Sequence, residues 1–182
     1  MNILVSCFKP FNKEKENYSE LVLNNLIDLD IDKITLDVLY KEDSDKIISL
    51  LNKKKYDYVF LLGEARSRDY VSIETIAENL DDAKIPDNNG IIKNNEEIIK
   101  NNDNYLSTNM DLFKIIPILN NDLILSCDAG TFVCNDLYYR VLHYVYQNEI
   151  NTKVLFIHIP KINDDINKYV NIIKEIIISF IK

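Results

Sequence analysis

Glycine, proline and cysteine are scarce, at 3, 4 and 3 of 182 residues. A collagen-like repeat needs glycine at every third position, and a small disulfide framework needs many cysteines, so both are excluded. Histidine is scarcer still, with only His143 and His158. The cysteines, Cys7, Cys127 and Cys134, form no C-x-x-C pair. A structural zinc site therefore lacks its ligands, and no metal or other cofactor is expected. Basic residues number 21 against 29 acidic ones, for a net charge of −8. Such a chain repels a phosphate backbone, and Lys53-Lys54-Lys55 lies on a mixed-charge stretch that reads as a solvated helix end. Nucleic acid is not an expected partner. Long apolar runs are also missing. Ile172 to Ile181 is interrupted by Lys174 and Glu175, whereas a bilayer span takes about 20 apolar residues, so no membrane partner is expected. Met1-Asn2-Ile3-Leu4-Val5 has no basic stretch before its apolar run, which is too short for an export signal. With few cysteines, the expected place is the cytoplasm.

What is present is ordinary for a globular chain: 47% hydrophobic and 27% charged residues, with 11 Tyr and 7 Phe. The aromatics argue against disorder. A chain of this length buries roughly two-thirds of its unfolded surface, so residues 1–182 are expected to form one domain. Ile3 to Cys7 reads as a buried strand, Ser19 to Leu29 as a helix and Lys33 to Leu39 as a strand. Ser44 to Leu51 reads as a helix, and Tyr58 to Leu62 as a strand closed by Gly63. Later, strands are expected at Asp122 to Ser126 and Lys153 to Ile159, and helices at Gly130 to Tyr146 and Asp165 to Ile181. Apolar runs without clean alternation mark strands covered on both faces. The expected fold is α/β: a three-layer α/β/α sandwich with a mainly parallel twisted sheet. Residues 68–110 alternate only in part and then turn polar between Asp87 and Asn104, so they are read as an inserted excursion.

In open α/β sheets, chemistry collects at the carboxyl ends of strands. Here these are Phe8 to Phe11, Gly63 to Arg68, Ser126 to Thr131 and His158-Ile159-Pro160. Cys134 stands near a helix start after Ser126-Cys127-Asp128-Ala129-Gly130, where free N–H groups and the helix dipole favour thiolate and can receive an oxyanion. Position alone favours the plainer reading, a small buried hydrophobe on the inner helix face. His158 ends a buried strand and is either a satisfied core histidine or a base beside Cys134. His143 lies nine residues after Cys134 on the same helix, about 13 Å along it, too far to bond the sulfur. A carboxylate is needed to orient an imidazole. Glu74 interrupts an apolar stretch, but Glu78, Asp81 and Asp82 stay open on spacing alone, and Glu74 also reads as an exposed-face residue.

Several stretches together resemble the pyroglutamyl peptidase I family of cysteine peptidases. Ile3-Leu4-Val5-Ser6-Cys7-Phe8-Lys9-Pro10-Phe11 is similar to the family's ILVTGFxPFGG. Residues 63–88, GEARSRDYVSIETIAENLDDAKIPDN, are similar to GxAGGRxxIxxERVAINxxDARIPDN. SCDAGTFVCN at residues 126–135 resembles SNxAGTYVCN, and Phe156 to Pro160 resembles FIHVP. The resemblance runs through the whole chain. It implies Cys134 as nucleophile, His158 as base and Glu74 as the third member. It further implies a lactam slot of Phe8 and Phe11, with Phe132, Val133 and Ile85 at other pocket positions and Asn17 supporting it. Glu64 falls beside the lactam, and Lys84 and Arg68 fall at positions expected to support the site or its oxyanion. The implied substrates are peptides with an N-terminal pyroglutamate, and the implied state is a homo-oligomer, dimer or tetramer.

The chain departs from that pattern at named places. Phe11-Asn12-Lys13 stands for FGG and Ala65-Arg66-Ser67-Arg68 for AGGR, which implies strain or another loop path where glycine gave freedom. Glu64 replaces a Gln and brings a carboxylate to a neutral ring, unless only its backbone is used. Lys84 replaces an Arg and loses the planar fork, and Asn17-Tyr18-Ser19 stands for Asn-Pro-Ser. The alternative these changes motivate is an inactive or altered-specificity relative that binds without turnover. A nucleotide-binding α/β protein is disfavoured, because no G-x-G-x-x-G or GxxxxGK[ST] loop follows a strand. The polar insertion 87–104 would serve as a lid or a subunit contact.

Overall fold

The computed structural model describes residues 1–163 and 165–181. Among the described residues, eight strands and four α-helices follow one another: β1 (Ile3–Phe8), α1 (Tyr18–Asn25), β2 (Asp32–Leu36), α2 (Glu42–Lys53), β3 (Tyr58–Glu64), β4 (Val71–Glu74), β5 (Ile76–Glu78), β6 (Tyr105–Ser107), β7 (Leu123–Ser126), α3 (Val133–Gln147), β8 (Lys153–Ile159) and α4 (Ile166–Ile181). Six strands make the central sheet in the order β2-β1-β3-β8-β4-β7, and β5 pairs β6 in a small ribbon. β2, β1, β3 and β8 are parallel, whereas β4 runs against β8 and carries β7 parallel to itself. No helix among the described residues is long and apolar enough to cross a membrane.

The uninterrupted apolar runs of β1, β3 and β8 follow from burial on both faces. Successive strand side chains point to opposite sides. Ile3, Val5, Phe60, Leu62, Leu155 and Ile157 therefore pack under α1 and α4, through Val22, Leu23, Ile173 and Ile176. Leu4, Val59, Leu61, Val154 and Phe156 face the other way, against Ile47 of α2 and Leu137, Val141 and Leu142 of α3. The three-layer arrangement expected from the sequence is the one observed.

Several boundaries differ from expectation, each for a local reason. α1 stops at Asn25 rather than Leu29. Leu26 is buried but Ile27 is 79% exposed, so the apolar run loses its helical stripe there, and the Lys33 ammonium donates to the Leu23 carbonyl at that end. β2 stops at Leu36, because Val38 takes a left-handed backbone at φ 63°. α3 begins at Val133, three residues after Gly130, which sits in a turn at φ 75°. The excursion starts later than residue 68. Val71 to Glu74 is a fully buried strand in the central sheet. Its alternation is masked because Ser72 and Glu74, which share one face, are polar yet buried. The polar stretch beyond β5 is tied down by its own side chains. Asn79 bonds both the carbonyl and the N–H of Ile99, and Asn135 of α3 donates to the carbonyls of Glu78 and Leu80.

Candidate active site

The reversed strand β4 assembles the site. Ser72 pairs with His158 across the antiparallel ladder, and Glu74 pairs with Phe156 two residues away. Paired residues share a face and diagonal neighbours lie within reach of each other. Glu74 Oε1 thus meets His158 Nδ1 at 2.8 Å. Glu74 is fully buried and His158 is 5% exposed. On the other side of β8, Gly63 of β3 pairs with His158. A Cβ at Gly63 would stand 2.6 Å from the Phe156 ring and 3.0 Å from the Cys134 sulfur. Glycine is what lets the thiol descend onto the sheet beside the histidine.

Cys134 is the second residue of α3, and its route there is not the expected one. β7 runs opposite to β8, so Ser126 ends its strand beside Glu74, on the outer strand of the sheet. β4 lies between β7 and β8, which are therefore not neighbours. Residues 127–132 carry the chain back to Phe11, whose ring lies 5.8 Å from that of Phe132. Cys134 and His158 both open into a cavity of about 120 Å³. Phe8, Phe11 and Phe132 form its apolar walls, and Asn17 and Glu64 also line it. Val38 and Ala129 complete the lining, unsignalled by the sequence reading. Val38 enters the wall from a left-handed backbone, which no residue pattern announces for a β-branched side chain. Val133 is instead buried in the core beneath α3, and Ile85 is half-buried and outside the cavity lining. Glu78 and Asp82 also lie outside the lining, while Asp81 is buried beside Asp136. His143 bonds Asn102 and stacks on Tyr139, which fastens the excursion to α3.

Asn17 is buried and caps α1, accepting from the Ser19 N–H at 3.0 Å and donating to the Lys9 carbonyl at 3.1 Å. Ser19 in turn accepts the Phe8 N–H at 3.1 Å. These bonds anchor the loop between the two phenylalanines. The turn that follows Phe11 keeps left-handed backbone where glycine was expected, with Asn12 at φ 51° and Lys13 at φ 64°. Glu64 does not present a bare charge to the cavity. Its carboxylate accepts Arg66 Nε at 2.5 Å and the Tyr18 N–H at 2.7 Å. Arg66 also pairs with Glu14 at 3.2 Å and covers the Tyr18 ring. Arg66 stands where glycine was expected and supplies the charge that Glu64 requires. Arg68 turns onto Glu74, Ser72 and the Asp128 carbonyl, and Lys84 is exposed and outside the cavity lining.

The electrostatics reverse one expectation. Burial, reinforced by the negative charges of Glu74 and Glu64, pushes the Cys134 thiol up to about 12, with Arg68 opposing. These effects outweigh the helix N-terminus, so the resting thiol is protonated. Burial would likewise raise Glu74. The hydrogen bond and charge of His158, helped by Ser126 and Arg68, outweigh it and hold the carboxyl below its ordinary value. The arrangement is an ionised carboxylate behind an imidazole, with a neutral thiol opening into the same small apolar cavity. Such a set can move a proton from sulfur to nitrogen and form a nucleophile on demand.

Residues 1–176 match the profile of the pyroglutamyl peptidase family. The chain is 36% identical over 173 residues to a pyrrolidone-carboxylate peptidase of Brachyspira hyodysenteriae, covering 91% of this chain and 86% of the relative. It is 37% identical over 167 residues to one from a Thermoanaerobacter species, covering 88% and 82%. The solved structure of a mutant pyrrolidone carboxyl peptidase from Pyrococcus furiosus superposes with a TM-score of 0.90 at 26% identity, covering 100% of this chain and 98% of that one.

Proposed function

The chain belongs to the pyroglutamyl peptidase family, cysteine peptidases that remove an N-terminal pyroglutamate, and on that premise we propose that Cys134, His158 and Glu74 carry the reaction. The observation that supports this most is the cavity itself. A thiol and an imidazole backed by a buried carboxylate open into one apolar slot. Its volume of about 120 Å³ equals roughly four waters, room for a flat five-membered lactam. The walls of Phe8, Phe11 and Phe132 suit an uncharged ring, and a ring with a charged amine loses solvation there without compensation.

His158 Nδ1 is held by Glu74, so Nε2 receives the Cys134 proton. The sulfur attacks the carbonyl that follows the ring. The tetrahedral oxyanion is received by N–H groups at the start of α3, which lack helical acceptors. The C–N bond then breaks as His158 returns the proton to the leaving amine. Water activated by the same imidazole clears the thioester and restores the thiol. Glu74 stabilises the imidazolium in both steps. Phe8, Phe11, Phe132 and Val38 hold the ring, and Asn17 and the paired Glu64 fix the walls. Lys84 is exposed and receives no oxyanion role in this scheme.

The test is release of fluorophore from a pyroglutamyl amide, with the matching proline amide and Cys134→Ser as controls. Release from the pyroglutamyl amide only, lost in the serine variant, is the expected result. No release from reduced, folded protein overturns the assignment. A reducing compartment keeps a free thiol available for the reaction, which supports the cytoplasm as its place. We also propose a homo-oligomer, supported by the exposed Phe113 and Ile116 and by the exposed Leu125 on the outer strand β7. Sedimentation of the intact chain at monomer mass would remove that idea.

A further inference from the structure

Arg68 lies in the loop between β3 and β4, and its side chain reaches both halves of the site. Nη1 donates to Glu74 Oε1 at 2.5 Å and also to the Ser72 hydroxyl. Nη2 donates to the Asp128 carbonyl at 2.5 Å. The same Glu74 oxygen holds His158 Nδ1 at 2.8 Å. Asp128 belongs to the turn that delivers Cys134, and its own carboxylate accepts the Gly130 N–H at 2.9 Å. The guanidinium is therefore spent on three protein acceptors and is not aimed into the cavity, whose lining excludes it.

We infer that Arg68 is a positioning residue for this reaction: one planar fork holds the carboxylate behind His158 and the turn ahead of Cys134 in fixed register. The inference rests on the reading of Cys134 and His158 given above. A fork is required because the two acceptors lie on different elements, β4 and the β7–α3 turn. A lysine supplies the charge but only a single point of attachment.

Charge gives the arrangement a second readout. Glu74 is faced by His158 from β8, Ser126 from β7, Ser72 on its own strand and Arg68. Cys134 on α3 feels Glu74, Glu64 and Asp43 as negative charges and Arg68 as the positive one. Without Arg68, the positive charge that opposes Glu74 and Glu64 at the thiol is lost, and the proton is held more firmly on Cys134. That effect moves the acid limb of kcat/KM to higher pH.

The experiment measures kcat, KM and the pH profile on the pyroglutamyl amide for Arg68→Met and Arg68→Lys. It also measures alkylation of Cys134 by iodoacetamide without substrate. For Arg68→Met, kcat is expected to fall about 10- to 100-fold with KM within about threefold. Its acid limb should rise by about half a pH unit or more, and alkylation at pH 8 should slow about threefold or more. Arg68→Lys should return the acid limb to the parent value while kcat stays reduced. A folded Arg68→Met with parental kcat, acid limb and alkylation rate overturns the inference. So does an equal kcat loss in both variants with an unmoved limb, the mark of a merely structural role. If Arg68→Met does not fold, parental kcat in Arg68→Lys overturns the fork. If the parent releases no fluorophore, the functional reading fails separately, and an unchanged alkylation rate in Arg68→Met then overturns the positioning role.

Discussion

Gly63 is the residue on which the approach of the thiol depends. A methyl group there would meet the Phe156 ring at 2.6 Å and the Cys134 sulfur at 3.0 Å, and neither neighbour stands at the free end of a flexible chain. Gly63→Ala is expected to destabilise the protein by about 1–3 kcal/mol, the usual result of overpacking a filled core. It should abolish turnover even where the protein stays folded, and urea denaturation beside fluorogenic hydrolysis checks both. Lys13 shows the opposite case. It is exposed and left-handed at φ 64°, and lies outside the cavity lining. Lys13→Gly is expected to stabilise by about 0.5–1 kcal/mol, relief of the left-handed penalty exceeding the entropy that glycine adds to the unfolded chain. Chemical denaturation reads the gain, and a loss of stability would show that the lysine has a partner in solution.

At the scale of elements, the end of β3 and the loop before α1 are joined through Arg66. Arg66→Ala leaves the Glu64 carboxylate, 1% exposed at its side chain, without its counter-charge. A stability loss of about 1–3 kcal/mol and a raised KM are expected, because the loop bearing Phe11 loses its tie. Adding Glu64→Gln should recover most of both losses, since a neutral amide still accepts the Tyr18 N–H. A double-mutant cycle in KM and in urea midpoint measures the coupling, and additive losses would show that the two side chains act apart. The same scale explains what could be read in advance. β1, β3 and β8 announced themselves because burial on both faces demands unbroken apolar runs. β4 was hidden because the site puts Ser72 and Glu74 on its inner face, and chemistry there erased the hydrophobic signal. The family-like motifs pointed to Cys134, His158 and Glu74, and the structure brings His158 to Glu74 and opens Cys134 into the same cavity. Val38 could not be seen, because its place in the wall depends on a backbone strain set by tertiary contacts. The compensation of Glu64 by Arg66 was equally invisible, since it lies in two departures whose meaning appears only when they touch.

For the whole molecule, carboxyl groups shape the pH range of stability from both sides. Glu74, Asp32 and Asp37 are held below their ordinary values, Glu74 against its burial by His158, and Asp32 and Asp37 chiefly by lysine hydrogen bonds. Depressed groups stabilise above their unfolded values and lose that contribution as pH falls through the folded ones, so stability declines below about pH 4. Asp81 works in the reverse sense. Burial, then the neighbouring charge of Asp136, pushes it up to about 8 from 3.8. Between those values the folded state holds a proton that the unfolded chain has released, so stability drains as pH climbs from about 4 to 8. Asp81→Asn is therefore expected to melt higher than the parent at pH 8, with the gap closing toward pH 4. Scanning calorimetry across that range tests it, and a gap independent of pH would show that Asp81 does not titrate there.

The position of β8 has a consequence for how the protein comes to life during synthesis. This strand is made after every other strand of the sheet, yet it lies in the middle, between β3 and β4. Until it emerges from the ribosome, the growing chain holds two half-sheets with an open seam between them, and unpaired edges on either side invite wrong partners. His158 arrives on that same strand. The last strand to enter thus closes the sheet and delivers the base in one event, and until then the nascent chain lacks the imidazole that takes the proton from Cys134.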